Sequence, residues 1–284
     1  MHFGCCLGIV GHVTPRAPYR HAPLIYVILQ VTHPVSMPIG RGEEAALKAK
    51  FAGRLPLTSR EQVTQFEMQA RADGGQPNTR ALTEEHLRLS ARDKRTSVTY
   101  APSSITIETT KYETWDDLRA LAETGLAARM DVAPVDGVER IGLRYVDEVR
   151  IPGDERPDWR SWIEPQLAPP ALEVAAGALV VQQQQSVVQY ATERAGVSVV
   201  LRYGAVDGPS VIQAIPLVRP EAPSSSPFFL VDTDASWTPG PGAEVPPLDP
   251  GSVLAEADVL HSYVKELFEA SLTDQLRSEV LDAE

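Results

Sequence analysis

Short stretches of apolar residues, many of them alternating with polar ones, recur between residues 22 and 112 of the chain. Residues 22–33, "APLIYVILQVTH", are rich in β-branched side chains and bounded by prolines, which is typical of a largely buried strand. Four further short stretches between residues 64 and 112 are separated by polar or Gly/Pro breaks. Because no helical pattern lies between them, they predict an antiparallel meander rather than a series of parallel strands with crossover helices.

Two segments in the first half of the chain carry apolar residues at the spacing of a helix. Residues 42–53 carry helix-forming side chains and end at Gly53, which predicts a short helix. In residues 114–130, Thr114 and Asp117 have the spacing of a capping box, and Trp115 begins an apolar stripe at helical spacing. We therefore expect a second helix that packs this stripe on the sheet.

Residues 139–152, "ERIGLRYVDEVRIP", predict the strand that follows. The period of two places Leu143 and Tyr145 on the covered face and Arg144 on the other face. Two interpretations of Arg144 are open. It can pair with Glu148 or with a carboxylate on a neighbouring strand, or it can face a cavity and hold an anionic group, for which its planar guanidinium is suited.

The second half repeats the plan of strands followed by a helix. A proline-dense connection over 152–170 carries Trp159 and Trp162, which we expect to pin it to the core. Further strands are predicted over 177–192, 196–206, 210–219 and 227–237, and a long helix with Ser252 as its N-cap is predicted over 252–281.

These elements predict an α+β fold of antiparallel meander sheets, each covered by a helix. The segments "GLRYV" at 142–146 and "VLRYGAV" at 200–206 echo each other, which raises the hypothesis of two related halves. The expected organisation is a disordered N-terminal tail over 1–21, a first α+β half over 22–151, the proline-rich connection over 152–170, and a second α+β half with the long helix over 171–284. The tail holds the only two cysteines, Cys5 and Cys6.

Composition narrows the classes of ligand. The chain has 26 Lys and Arg residues against 38 Asp and Glu, a formal net charge of −12, and no basic run. Nucleic acid is therefore disfavoured, because phosphate binding needs clustered positive charge. The apolar runs are too short to cross a bilayer, and the first residues lack the basic region of a signal peptide. We expect a soluble, cytoplasmic protein without a membrane partner.

Candidate catalytic chemistry is sparse in the sequence. Asp232 and Asp234 fall on one face of a predicted strand, about 7 Å apart along it, and two such carboxylates can hold Mg²⁺ as in phosphoryl-transfer sites. The simpler interpretation is a solvated strand end. Glu256 and Asp258 on the last helix are the only further carboxylates that folding could bring to this pair.

Other site types are disfavoured by their missing partners. His261 flanks the apolar stripe of the last helix, and no second His or Cys stands at metal-binding spacing, so we interpret it as a boundary histidine rather than a zinc ligand. The sequence contains no nucleophile-elbow, phosphate-loop or dinucleotide-binding motif. We therefore expect no cofactor, and the candidate catalytic residues are Asp232, Asp234 and Arg144.

Four short motifs taken together resemble one protein family. They are a Y-x-x-W helix start at Tyr112 and Trp115; an R-I-G-L-R-Y strand with Arg140, Gly142, Arg144 and Tyr145; an L-D-x-D strand at Leu230 to Asp234, with Val231 inserted; and an H-x6-F-E-x3-T terminal helix with His261, Phe268, Glu269 and Thr273. Over roughly residues 22–280 the chain resembles a sporadically distributed bacterial family of uncharacterised proteins. The resemblance implies no activity, cofactor or catalytic residue. The patchy occurrence of the family implies accessory loci, such as defence or toxin–antitoxin-like ones.

We expect the protein to be a non-catalytic binding or protein-interaction module. Its partner would be an unknown protein, or a second copy of the chain bound through a sheet edge or the terminal helix. The alternative is a metal-dependent phosphoester hydrolase that uses Asp232 and Asp234 with Arg144. A third carboxylate close to the two aspartates would favour the hydrolase.

Overall fold

The computed structural model describes residues 19–69, 78–170, 181–212, 215–219 and 226–283. The strands in these ranges are β1 (Leu24–Thr32), β2 (Leu57–Gln69), β3 (Asn78–Ser90), β4 (Thr96–Tyr100), β5 (Ser104–Thr109), β6 (Arg140–Val149), β7 (Ser186–Ala191), β8 (Val197–Gly208) and β9 (Ser226–Trp237). The helices are α1 (Arg41–Lys50), α2 (Trp115–Val132), α3 (Trp159–Trp162), α4 (Pro250–Ser271) and α5 (Asp274–Leu276), and a π-helical turn covers Arg277–Leu281. Cys5 and Cys6, with most of the predicted tail, and the first part of the predicted 177–192 strand lie outside the described residues.

All nine strands belong to one antiparallel sheet, in the order β2-β3-β4-β5-β1-β6-β9-β8-β7. The predicted α+β class with antiparallel strands is confirmed. The strands do not form two separate sheets, however, because β6 from the first predicted half pairs with β9 from the second. Their register runs from Ile141 opposite Trp237 to Val149 opposite Phe229. The two predicted halves therefore share a continuous hydrogen-bonded sheet.

The helices α1, α2 and α4 cover one face of this sheet, and the main core lies between them and the strands. Alternate strand residues such as Leu29 and Leu143 are fully buried there, together with Leu121 of α2 and Leu260 of α4. Tyr145 is 7% exposed on the same face, as the alternation predicts. No helix in the described ranges is long and apolar enough to cross a bilayer.

The two long helices begin at capping side chains. Thr114 caps α2 as predicted, since its hydroxyl oxygen accepts a hydrogen bond from the Asp117 N–H at 3.1 Å. The N-cap of α4 is Asp249 rather than the predicted Ser252. Ser252 lies in the first turn and donates its N–H to Asp249 Oδ2 at 2.8 Å. Proline at the first helical position, Pro250, favours this earlier start.

The prediction of a strand over 210–219 is wrong for the described residues of that segment. They run without strand structure across the face of the sheet that the helices leave open. The buried Glu148 carboxylate accepts a hydrogen bond from the Val211 N–H at 2.9 Å. Further along, Leu217 packs against Val146 in a small apolar cluster on this face. The apolar residues that suggested a strand thus serve to cover part of the sheet.

The long helix predicted over 252–281 is interrupted near its end. Leu272 leaves the helix and forms an isolated antiparallel bridge with Ile163, in the proline-rich connection. Thr273 then caps α5, accepting a hydrogen bond from the Leu276 N–H at 3.2 Å. The break lets the last residues fold back on a second buried cluster instead of continuing along the sheet.

The connection over 152–170 is held to this second cluster by a tryptophan, as expected. Trp159 is 8% exposed, and its ring centroid lies 5.6 Å from that of Phe229 on β9.

Candidate functional site

The middle of β6 presents two polar side chains to the helix-covered face. Tyr145 and Asp147 alternate with Val146, which packs on the open face. Beside them β1 contains a bulge, since Leu24 pairs with Asp147 and Tyr26 pairs with Val146, leaving one extra residue between. The bulge places Leu24 on the covered face next to Asp147. Bulges re-aim side chains in this way and occur often beside functional sites.

A cavity of about 470 Å³ lies over this part of the sheet. Four separate segments form its walls: residues 19–24, residues 112–116 at the start of α2, β6, and the middle turns of α4. Its lining includes Tyr112, Trp115, Tyr145, Asp147, His261, Lys265, Phe268 and Glu269. The volume is in the range of ordinary small-molecule pockets.

Two tyrosine hydroxyls meet in the cavity. The Tyr145 hydroxyl donates a hydrogen bond to the Tyr112 hydroxyl at 3.1 Å, and the two rings cross edge to face with centroids 5.4 Å apart. Burial raises the pKa of Tyr112 to about 12 and raises the pKa of Tyr145 well above its ordinary value. Both hydroxyls are therefore protonated at neutral pH, and they act as hydrogen-bonding groups rather than as anions.

One wall of the cavity is a stacked pair of rings. Trp115 and His261 lie with centroids 4.5 Å apart and planes 5° from parallel. The indole N–H of Trp115 donates to Asp258 Oδ1 at 2.8 Å, and Arg119 holds the same carboxylate at 3.0 Å. Burial, and after it the positive charge of Lys265, lowers the pKa of His261 to about 4. The imidazole is therefore neutral at pH 7, and its flat face is fixed by the stack.

Asp147 is the most unusual group in the cavity. The residue is only 5% exposed, and none of the described residues donates a hydrogen bond to its carboxylate or forms an ion pair with it. Burial, and after it the negative charge of Asp232, raises the pKa of Asp147 well above its ordinary value. The carboxylate is close enough to Tyr112 and Tyr145 to raise the pKa of both hydroxyls. Asp147 is thus a largely buried residue whose carboxyl group opens onto the cavity and has no partner in the described part of the protein.

The charged residues around the cavity are mainly acidic. Glu113 and Asp116 stand at the start of α2. Glu269 lies on the opposite side and accepts a hydrogen bond from the Tyr19 hydroxyl at 2.9 Å. Lys265 is the one basic side chain among the described lining residues, apart from the histidine. Glu113 is paired with Lys111 at 3.5 Å and Glu269 with Arg277 at 3.4 Å, so Asp147 is the buried acidic group of the lining that lacks a counter-charge.

Arg144 and the two candidate aspartates lie on the other face of the sheet. The Arg144 guanidinium holds the buried Asp232 carboxylate through two hydrogen bonds of 2.7 and 2.8 Å, and Arg202 approaches it at 3.7 Å. Of the two interpretations of Arg144, this is the pair with a carboxylate on a neighbouring strand. The geometry is the bidentate one that gives arginine–carboxylate pairs their strength.

A second pair on this face lies beside the glycine of the central motif. Arg140 reaches Asp234 at 3.4 Å. Its guanidinium lies over Gly142, and a Cβ at that position would require this flexible side chain to shift.

The two aspartates are not gathered with a third carboxylate. Glu256 and Asp258 belong to α4, on the covered face, where Glu256 pairs with Arg194 and Asp258 is held by Trp115 as described above. In the part of the chain that the structure describes, no three His, Cys, Asp or Glu side chains come together as a metal site. The sequence leaves Glu256 and Asp258 as candidates to join Asp232 and Asp234, and the structure does not bring them together.

The motif residues of the sequence divide between three places. Six of them meet at the cavity: Tyr112, Trp115, Tyr145, His261, Phe268 and Glu269. Arg140, Gly142 and Arg144 lie on the opposite face, and Thr273 begins α5. Sequence reasoning missed Asp147, although the period of two that places Tyr145 on the covered face places Asp147 there as well. The available signal was a carboxylate at a core-facing position of a strand.

No protein-family model matches the sequence, and no curated protein gives a significant match. The family resemblance drawn from the motifs therefore stays a prediction.

Proposed function

We propose that this protein is a non-catalytic binding protein whose ligand occupies the cavity between α2, α4 and β6. The observation that carries the proposal is Asp147. Leaving a buried polar group without a hydrogen-bond partner costs about 1–3 kcal/mol, and more for a charged group. A carboxylate at the wall of a cavity can recover this free energy from a ligand.

The other polar groups of the cavity support binding rather than bond-making chemistry. The raised pKa values of Tyr112 and Tyr145 keep both hydroxyls protonated, which makes them poor nucleophiles and good hydrogen-bonding groups. The low pKa of His261 makes its imidazole a weak base at neutral pH. The stack on Trp115 also holds that ring in place as a wall.

The alternative of a metal-dependent phosphoester hydrolase receives less support. A magnesium site needs carboxylate oxygens that are open to the metal. The oxygens of Asp232 are engaged by Arg144 and Arg202, and Asp234 is engaged by Arg140. The expected protein partner, including a second copy of the chain through a sheet edge or α4, remains a separate prediction.

A fragment screen by ligand-observed NMR tests the cavity as a binding site. The screen uses a mixture of cationic, neutral and anionic fragments, so that it does not assume the charge of the ligand. Ala22 is exposed and lines the cavity, so Ala22→Trp should obstruct it without changing the core. The matched control is Ala243→Trp, at an exposed alanine in the loop before α4.

We expect a set of fragments to bind the unmodified protein and Ala243→Trp and to lose binding in Ala22→Trp. If no fragment separates the two tryptophan variants, the cavity is not the binding site. Circular dichroism of both variants shows that the fold is retained.

A further inference from the structure

The charge of the cavity suggests the class of its ligand, an inference that rests on the proposed function. Asp147 has no counter-charge among the described residues. Glu113 is paired with Lys111 at 3.5 Å and Glu269 with Arg277 at 3.4 Å, so Asp116 and Lys265 are the other charges of the described lining, and they offset each other. Lys265 forms no ion pair within the described residues, and it lies close enough to His261 to lower the pKa of that ring. With the other charges balanced, the ionised form of Asp147 attracts a cation and repels an anion.

The rings around Asp147 suit a cation that is carried on an apolar body. Tyr112 and Tyr145 lie within electrostatic reach of the carboxylate, and Trp115 and Phe268 line the cavity beside them. Aromatic faces attract ammonium and guanidinium groups, and the attraction is larger where water is excluded. The same rings give an apolar surface for the rest of the ligand.

We propose that the ligand presents an ammonium or guanidinium group to Asp147 and places its apolar body among Tyr112, Trp115, Tyr145 and Phe268. The cation supplies the hydrogen bonds that the carboxylate lacks. The Tyr112 hydroxyl, which accepts from Tyr145, still has its own hydrogen to donate to a polar atom of the ligand.

Three probes that share a phenyl ring test the charge: benzylammonium, benzyl alcohol and benzoate. Titration calorimetry on the full chain should give benzylammonium at least about tenfold tighter binding than benzyl alcohol, since hydrogen bonds between charged groups are roughly twice as strong as neutral ones. Benzoate should bind most weakly. In Asp147→Asn, which keeps the shape of the side chain, benzylammonium should fall to the level of benzyl alcohol, while benzyl alcohol binding is retained.

The number of protons released when the ligand binds is a second readout. A ligand that only packed against the cavity walls would not change it. A bound cation stabilises the ionised carboxylate, so the pKa of Asp147 falls on binding and protons are released between its free and bound values. Calorimetry in two buffers of different ionisation enthalpy measures this release. It should disappear in Asp147→Asn. The other titratable groups facing the cavity are Tyr19, Tyr112, Glu113, Asp116, Tyr145, His261, Lys265 and Glu269, and they are unchanged in that variant.

The variant Lys265→Met tests whether Lys265 repels a bound cation or instead acts as the charge partner of Asp147. The proposal requires tighter benzylammonium binding in this variant, by a factor of about 2–10, because a like charge is removed from the cavity. Unchanged or weaker binding would mean that Lys265 does not oppose a cation, and it would count against the proposal.

One further probe distinguishes a free amine from a lysine side chain of a partner. It is the blocked peptide Gly-Gly-Lys-Gly-Gly, compared with benzylammonium and with its own N-acetyl-lysine form as the neutral control. Tighter binding of the peptide assigns the site to a protein side chain, and tighter binding of benzylammonium assigns it to a small molecule. Either result supports a cation.

Equal or tighter binding of benzyl alcohol, compared with benzylammonium, overturns the cation and leaves the cavity as a site for a neutral ligand. If no probe and no fragment of the screen shows binding that Ala22→Trp removes, the cation and the proposed function both fail.

Discussion

Asp147 sits where the alternation of β6 and the bulge of β1 both direct side chains into the covered face. The position of its carboxylate is therefore set by the backbone geometry. It lacks a partner because apolar and aromatic residues surround it. Such a group lowers the stability of the empty protein. Natural proteins commonly retain an unfavourable group of this kind at a functional site.

We expect Asp147→Asn to stabilise the empty protein at neutral to basic pH, because the amide keeps a polar group at the site but removes the charge; each unit by which the folded-state pKa is raised corresponds to about 1.4 kcal/mol. The folded-state pKa of Asp147 is raised, so the folded state binds more protons than the unfolded chain at pH values between the two pKa values. The penalty of the ionised carboxylate is therefore full above the folded pKa. It shrinks as the pH falls toward the ordinary value of 3.8.

Urea denaturation of both proteins over a pH series measures this difference. The titration of His261 affects both proteins and cancels in the comparison. Destabilisation by Asp147→Asn at neutral pH would mean that the carboxylate makes a favourable contact in the folded protein, and the argument for an empty acceptor would fail.

Arg144→Ala should destabilise the protein by about 1–3 kcal/mol. The substitution removes both short hydrogen bonds from Asp232, whose side chain is only 4% exposed, and an unpaired buried carboxylate is costly. Thermal and urea unfolding give the value. Arg202→Ala is the matched control and should cost less, since Arg202 lies 3.7 Å from the same carboxylate and is half-exposed. Equal losses of stability in the two variants would show that the bidentate hydrogen bonds of Arg144 contribute no more than the longer contact of Arg202.

At the scale of elements, local patterns in the sequence predicted most strands and helices. β1, β6 and α2 were predicted because period and capping signals agreed over their whole length. The prediction of a strand over 210–219 is wrong, because apolar residues that cover a sheet from outside resemble those of a strand. The predicted start of α4 lies later in the chain than the observed one. Ser252 and Asp249 are both good N-cap residues, and the sequence does not rank them.

The candidate site was predictable only in part, because it depends on contacts between distant segments. The terminal-helix motif and the start of α2 were both noticed as patterns, but their meeting in one cavity depends on the position of α4 over β6. The pairing of Asp232 with Arg144 likewise depends on the register of β6 and β9. Period alone does not determine which strands are neighbours.

The π-helical turn after α5 should contribute to stability through its last leucine. Leu281 is 1% exposed in the second buried cluster, and its carbonyl accepts a hydrogen bond from the His21 N–H at 2.9 Å. We expect Leu281→Ala to cost about 2–5 kcal/mol, as for other buried leucines. Glu279→Ala, at an exposed position of the same turn, is the control and should change little. Comparable unfolding midpoints for the two variants would show that the turn is detached in solution.

At the scale of the whole molecule, the shared sheet should make folding cooperative across the two predicted halves. We expect a fragment of residues 22–151 to be unfolded, since β6 would lose β9 as its neighbour, and Leu143 would lose the cover of Leu260. Circular dichroism and proton NMR of the fragment, beside the full chain, measure this. A fragment with dispersed amide signals and a cooperative melt would show that the first half is an independent domain.

The strand order also has a consequence for the protein during its synthesis. Five strands that precede β6 in the chain can pair as soon as they leave the ribosome, but the neighbour of β6 on its other side is β9, made after β7 and β8. At about 5–20 residues per second, the nascent chain keeps the backbone groups of one β6 edge unpaired for on the order of ten seconds. An open edge of this kind invites pairing with another chain. The growing polypeptide is therefore most vulnerable to misassembly before Trp237 has emerged, and the cavity closes later still, when α4 arrives.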